Sequence, residues 1–224
     1  MPDLRFNVEG SEAVAYAASP RVGLKLRITE TSEASENVTG IHSILLRCQV
    51  RLEPGRRRYE AGEQRRLVEL FGEPQRWGQT VRSMLWTNVT ETVPPFRGET
   101  VFDLQIPCTY DFNVAATKYF AALEDGEVPL TLLFSGTIFY ATGEQSLQVQ
   151  QIPWEKEASY RLSVRVWRGM MDLYYPNTAF LEVRQDLFDR LRQFRIARGM
   201  VTVERALESL LDGAEAAAAN EGGS

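Results

Sequence analysis

The sequence predicts an α+β protein: an antiparallel β-sheet or sandwich of six to seven strands, followed by a C-terminal antiparallel helix pair. Apolar and polar residues alternate along most of residues 1–176, as they do in half-buried strands. In residues 177–212 the apolar positions recur every three or four residues, as in amphipathic helices. Few segments between the predicted strands could serve as parallel crossovers, which favours antiparallel pairing.

The strand predictions follow from this alternation, and residues 4–8 are expected to add an edge strand. Residues 130–140 are apolar on both faces, which predicts a central strand covered on each side, and Gly136 within it indicates a bulge or a close backbone approach. Residues 77–89 fit either a helix or a strand; we favour a short turn and then a strand ending at Pro94. The clearer strands are residues 22–28, 44–52, 102–106, 130–140, 147–152 and 160–166.

Two short helices interrupt the mainly β region. One is expected near residues 60–71, where a glycine and a proline follow the last apolar position. The other is expected near residues 113–123, with Asp111 or Asn113 as its N-cap.

The domain organisation follows from these patterns. Residues 1–176 are expected to form the mainly β domain, and the helical pair of residues 177–212 is expected to pack on it. Residues 213–224 are rich in alanine and glycine with little to bury, so we expect a disordered tail.

Composition restricts the classes of function. Hydrophobic residues make up 44% of the chain, as in ordinary globular proteins, and the net charge of −5 argues against nucleic-acid binding. The N-terminus shows no secretory signal and no apolar run is long enough to span a membrane, so we expect a cytoplasmic protein. The excess of arginine over lysine suggests a GC-rich coding sequence and a bacterial origin.

Standard catalytic and metal sites are disfavoured. His42 is the single histidine, and Cys48 and Cys108 lie far apart, so we expect a surface or packing histidine and two buried thiols. No glycine-rich phosphate loop occurs, and we predict neither a cofactor nor a metal. The basic cluster Arg56 to Arg58 is interpreted as a solvated loop or a contact for an acidic protein.

An enzyme of unfamiliar type remains an alternative, with carboxylates or tyrosines meeting in a pocket on the sheet face. The candidate residues are Asp103, Tyr110, Asp111, Lys118, Tyr119 and Tyr140, with Glu155 and Glu157 interpreted as surface residues.

Aromatic and methionine residues near turns are the candidate partner-binding residues, because such side chains are enriched at protein interfaces. The alternative is that they fill the seam between sheet and helices. The candidates are Trp77, Trp86, Trp154, Trp167, Met170, Met171, Tyr174 and Tyr175.

Residues 71–80, 107–120, 133–140 and 167–176 together resemble a bacterial family of unknown function. Genes of that family often lie beside those of high-affinity nickel–iron hydrogenases. The resemblance implies a role near hydrogenase assembly or electron transfer and assigns no catalytic residue. The sheet followed by two helices is also similar, more loosely, to an export chaperone family.

The function favoured by the sequence is therefore a non-catalytic protein-binding or assembly module whose partner is a hydrogenase subunit or accessory protein. Besides the enzyme, the alternatives are an obligate structural subunit of a larger complex and a chaperone-like client binder. The chain could also form a homo-oligomer.

Overall fold

The computed structural model describes residues 1–31, 38–108, 114–142 and 146–221. The chain divides into two compact units, Met1–Asn177 and Thr178–Ser224. The strands are β1 Leu4–Ala13, β2 Arg21–Glu30, β3 Val38–Leu52, β4 Met84–Val93, β5 Glu99–Pro107, β6 Glu127–Thr142, β7 Leu147–Gln151 and β8 Glu157–Ser163. The helices are α1 Ala61–Phe71, α2 Trp77–Thr80, α3 Val114–Ala122, α4 Val164–Tyr174, α5 Gln185–Ala197 and α6 Val203–Glu221.

The first unit is a sandwich of two antiparallel sheets. One sheet has the order β1-β2-β5, and the other has the order β4-β3-β6-β7, with β8 also paired to β6. Along β2 and β3 every second side chain is buried, because successive residues of a strand point to opposite faces. The two inner faces form one core, in which Phe6 of β1 stacks on Phe134 of β6 with ring centroids 4.2 Å apart.

Strand β6 is the central strand of the larger sheet, as the sequence predicts. It pairs with β3 along nearly its full length on one edge. On its other edge it pairs with β8 up to Leu133 and with β7 from Thr137 onward. Gly136 lies at this change of partner, with φ +132°. A Cβ atom at Gly136 would lie 2.0 Å from the carbonyl oxygen of Leu45, so the predicted close backbone approach is confirmed.

Of the four helices in the first unit, three pack on one another or on the strands. Helix α1 packs on α3, α3 on α4, and α4 on β1, β2 and β8. At the start of α1 the side chains of Glu60 and Glu63 form a reciprocal capping box, which satisfies backbone N–H groups that the first helical turn leaves unpaired.

The expected sheet is confirmed as antiparallel, but the described residues contain eight strands and not six to seven. Residues 77–89 form a short helical turn and then a strand, as favoured. The strand expected at residues 160–166 ends at Ser163, and α4 begins at the next residue. The prediction that this strand continues to residue 166 was therefore wrong. Ser163 caps α4 by accepting a hydrogen bond from the Arg165 N–H. The caps expected from Asp111 and Asn113 lie outside the described residues.

The second unit is the predicted helical pair. Helix α5 begins at Gln185, later than the apolar repeat suggests, and Gly199 follows it with φ +64°. The Thr202 hydroxyl accepts a hydrogen bond from the Arg205 N–H and so caps the start of α6. Helix α6 extends to Glu221, into the segment for which we expected disorder, because its alanine run has high helix propensity. Packing of this pair on the β domain stays a prediction.

Replacing Gly136 with alanine is expected to destabilise the first unit by about 3 kcal/mol or more, since the added Cβ would collide with the backbone of β3 at a strained φ. Denaturant unfolding followed by circular dichroism measures this. The matched control is Gly78→Ala in α2, where a Cβ meets nothing within 4 Å. Equal stability of the two variants would contradict this account of the strand junction.

Candidate partner-binding surface

The outer face of the five-stranded sheet carries an unusual edge strand. In β7 the residues Leu147 and Val149 lie opposite Ala141 and Phe139 on the outer face, and they are 57% and 58% exposed. The intervening Gln148 lies opposite the buried Tyr140 but is itself exposed, and no residue of β7 is buried. Strand β7 therefore presents its apolar side to solvent.

Trp154 lies beside this strand, at the turn between β7 and β8, and is 90% exposed. The Lys156 N–H donates to the Pro153 carbonyl at 3.2 Å, which closes the turn. The Lys156 ammonium also contacts Asp3 at 2.6 Å, and this hydrogen bond holds the pKa of Asp3 below its ordinary value. An anchored turn thus holds a large aromatic side chain in solvent.

A shallow groove of about 420 Å³ runs from Trp154 across the outer face. Its polar lining includes Arg47, Gln49 and Asn88, and the Gln49 amide donates to Asn88 at 3.3 Å. We use the name outer patch for five apolar residues of this sheet that are not buried, Leu45, Phe139, Leu147, Val149 and Trp154, of which Trp154 lines the groove. An apolar centre bordered by arginine and amide side chains is the usual anatomy of a protein interface.

Of the residues predicted to bind a partner, three belong to the core. Trp86, Trp167 and Met170 are buried, because β4 and α4 turn them inward against α3. The ring of Phe120 lies between the two tryptophans, with centroid distances of 5.2 Å to each. For these three residues the alternative reading, that they fill the seam between sheet and helices, describes their position.

Four others are half-buried. The Trp77 indole N–H donates to the Gly72 carbonyl at 2.8 Å, and its ring packs edge-on against Tyr59 and Phe71. The Tyr174 hydroxyl donates to the Val14 carbonyl and accepts from the Ala17 N–H, both at 2.8 Å. These contacts make Trp77 and Tyr174 structural links between elements. The other two are Met171 and Tyr175.

The enzyme candidates that the structure describes do not converge on one pocket. Asp103 contacts Lys25 at 2.7 Å on the smaller sheet, and Lys118 contacts Glu69 at 2.8 Å beside α1. Tyr119 and Tyr140 are both buried. Tyr110 and Asp111 lie outside the described residues.

Tyr119 has a structural role. The Tyr59 hydroxyl donates its one proton to the Pro54 carbonyl at 2.8 Å, so Tyr119 must donate to Tyr59 across their 2.8 Å contact. Burial raises the pKa of Tyr59 to about 12 and that of Tyr119 further. Both phenols therefore stay protonated at neutral pH and link the loop before α1 to α3.

The basic cluster is partly structural too. The Arg57 side chain is 8% exposed and forms an ion pair with Glu63, which is 3% exposed, at 2.6 Å. Arg57 also donates to the carbonyl oxygens of Asp125 and Glu127. The expectation of a solvated loop holds for Arg56 and Arg58, which are exposed. It fails for Arg57, because Glu63 and two backbone carbonyls hold its guanidinium group.

The thiols and the histidine are placed as expected. Cys48 and Cys108 are free and buried, and burial raises the pKa of each thiol to about 12. His42 is exposed on β3. Within the described ranges no three histidine, cysteine or acidic side chains are grouped as metal ligands.

Two antiparallel sheets packed face to face, together with short helices and an exposed apolar patch, define a sandwich-type α+β protein. The sequence profile of a family of unknown function (DUF6084) matches residues 1–219, and the chain belongs to that family. The expected membership of a family of unknown function is thereby confirmed. The match itself says nothing of hydrogenases.

The other comparisons add little. No curated protein matches the sequence. One similar solved structure is the CARDB domain of a Pyrococcus furiosus protein in complex with di-metal ions, at 12% identity and a TM-score of 0.28, covering 72% of this chain and 92% of that one. So low a TM-score supports no argument about function. No helix in the described part of the chain is long and apolar enough to cross a membrane.

Trp154→Phe is expected to remove most of the tryptophan fluorescence that acrylamide quenches in the folded protein. Of the four tryptophans Trp154 is 90% exposed, whereas Trp86 and Trp167 are buried. Stern–Volmer titration of the wild type and the variant measures the quenchable fraction. An unchanged fraction would mean that the turn folds back onto the sheet.

Both cysteines are expected to resist thiol reagents at about pH 8 until the protein unfolds, because the thiolate is the nucleophile and burial holds both pKa values near 12. Reaction with an aromatic disulfide, with and without denaturant, measures this. Fast labelling of the folded chain would show that the core around Cys48 or Cys108 opens.

Proposed function

We propose that the chain is a non-catalytic protein-binding or assembly module that holds its partner on the outer patch. The observation that carries the proposal is Trp154, 90% exposed on a turn anchored through Asp3. A solvated tryptophan has no role in the packing of its own sheet, and Leu147 and Val149 of the same sheet are also exposed. Covering these side chains with a partner would remove apolar surface from water.

The chemistry of the surroundings supports a protein as the partner. Large exposed apolar patches on a sheet are typical of interaction sites, and tryptophan and arginine are enriched among the residues that dominate binding energy. Arg47 and the amides of Gln49 and Asn88 supply hydrogen-bonding groups at the border of the patch. Because the turn is already ordered by Lys156, little conformational entropy is lost when Trp154 is bound.

The resemblance to proteins encoded beside hydrogenase genes makes a hydrogenase subunit or accessory protein the first partner to test. A cytoplasmic location, also part of this proposal, agrees with two free buried thiols and with the absence of a disulfide from the described residues.

Trp154→Ala is expected to weaken partner recovery by about tenfold or more, as the loss of an interface aromatic usually does. The tagged chain would be purified from its native host at equal expression, and the recovered proteins would be quantified by mass spectrometry.

Tyr16→Ala is the matched control. Tyr16 is also a fully exposed aromatic, but it lies at the β1–β2 connection of the other sheet. Partner recovery should be the same for Tyr16→Ala and the wild type. Recovery that is insensitive to Trp154→Ala, or the absence of any stoichiometric partner from the wild-type preparation, would overturn the proposal.

A further inference from the structure

The helical unit does not bury its own apolar surface. In its described part, Ala206 is the one buried residue, although α5 and α6 carry a full apolar stripe each. Leu187 of α5 is 45% exposed and Leu211 of α6 is 62% exposed. Two helices alone rarely form a stable core, because each needs further apolar neighbours to cover its stripe.

The exposed stripes border a continuous groove. It has a volume of about 610 Å³ and lies within the helical unit. The apolar residues that line it come from both helices and from the segment before α5; they include Leu181, Leu187, Leu191, Phe194, Leu207 and Leu210. Such a groove has the dimensions and chemistry to receive apolar side chains from another amphipathic helix.

The charges of the two helices indicate which helix would fill it. Helix α5 is net positive, and Arg190 lies at the groove, whereas α6 is net negative. Glu204, Glu208 and Glu215 follow one flank of α6, at spacings that place them on one side of the helix. Among the described residues, no ion pair joins α5 to α6 within the chain.

From these observations we infer that the helical unit is a dimerisation element, which pairs with the same unit of a second copy in an antiparallel four-helix bundle. In a two-fold symmetric pair, α5 of each copy lies against α6 of the other, so the same complementary charges are used twice. The four apolar stripes then meet in one core, and a four-helix bundle is the smallest assembly that covers all of them. The pairing is independent of the outer patch, which lies on the other unit.

The first test is the mass of the full-length protein in solution at micromolar concentrations, by light scattering or sedimentation equilibrium. The wild type is expected to be a dimer. Leu187→Glu with Leu210→Glu should raise the dimer dissociation constant by about 100-fold or more, because each dimer would bury unpaired carboxylates. Ile196→Glu is the control: Ile196 is exposed on α5 but does not line the groove, and this variant should remain dimeric.

A charge-exchange experiment tests the arrangement of the helices. One variant carries Arg190→Glu, at the groove, and the other combines Glu204→Arg with Glu208→Arg. Each variant alone places like charges between α5 and the α6 of its partner, so each should be mainly monomeric. An equimolar mixture should form the heterodimer, since α5 of either variant then faces an α6 of opposite charge.

Three outcomes would overturn the inference. A monomeric wild type would show that the stripes are covered by the β unit of the same chain or by another protein. A dimer that survives the two leucine substitutions would use a different surface. Two charge variants that do not rescue each other, with helicity unchanged by circular dichroism, would exclude the contact between α5 and the partner's α6.

Discussion

The architecture of the first unit depends on the close approach of two backbones where β6 pairs with β3. Gly136 lies against the Leu45 carbonyl at a distance that leaves no room for a side chain. Strand β6 continues through sixteen residues, Glu127–Thr142, while the strand on its other edge changes from β8 to β7 around Gly136. The interruption between β7 and β8 places the turn with Trp154 at the middle of a sheet edge. The turn that carries the most exposed tryptophan begins next to Gly136, whose carbonyl accepts a hydrogen bond from the Ile152 N–H.

Burial separates the aromatic residues into two groups with different roles. Phe120 between Trp86 and Trp167 fills the seam where α3 and α4 meet the sheet. The hydroxyl pair of Tyr59 and Tyr119 fastens the loop before α1 to α3. Only Trp154 among the tryptophans is left without such a packing role in the described structure. A cluster of aromatic residues in the sequence therefore does not mark a surface, because the same residue types supply both cores and interfaces.

The sequence predicted the antiparallel sheet, the central strand, the helical pair and the importance of Gly136, since each rests on local periodicity or a special backbone residue. It did not reveal the face to which β7 turns Leu147 and Val149, because alternation alone does not say which side is buried. Helix α4 was not predicted, although Val164, Trp167 and Met170 are spaced as in a helix. The alternating apolar pattern of β8 continues to residue 166, and this pattern predicted a longer strand instead. The burial of Arg57 depends on Glu63 and on carbonyls distant in sequence, which no local pattern encodes.

Strand β7 has a further consequence for the motions of the sheet. Among the described strands its five residues pair only with β6, and its exposed apolar side chains gain nothing from the core. The free energy that keeps β7 in place is therefore smaller than that of β3 or β6, and β7 should be among the first parts of the sheet to open locally and exchange its amide hydrogens. A protein bound over Leu147 and Val149 would slow that opening. Binding of a partner to this surface would then be detectable as slower amide hydrogen exchange in β7.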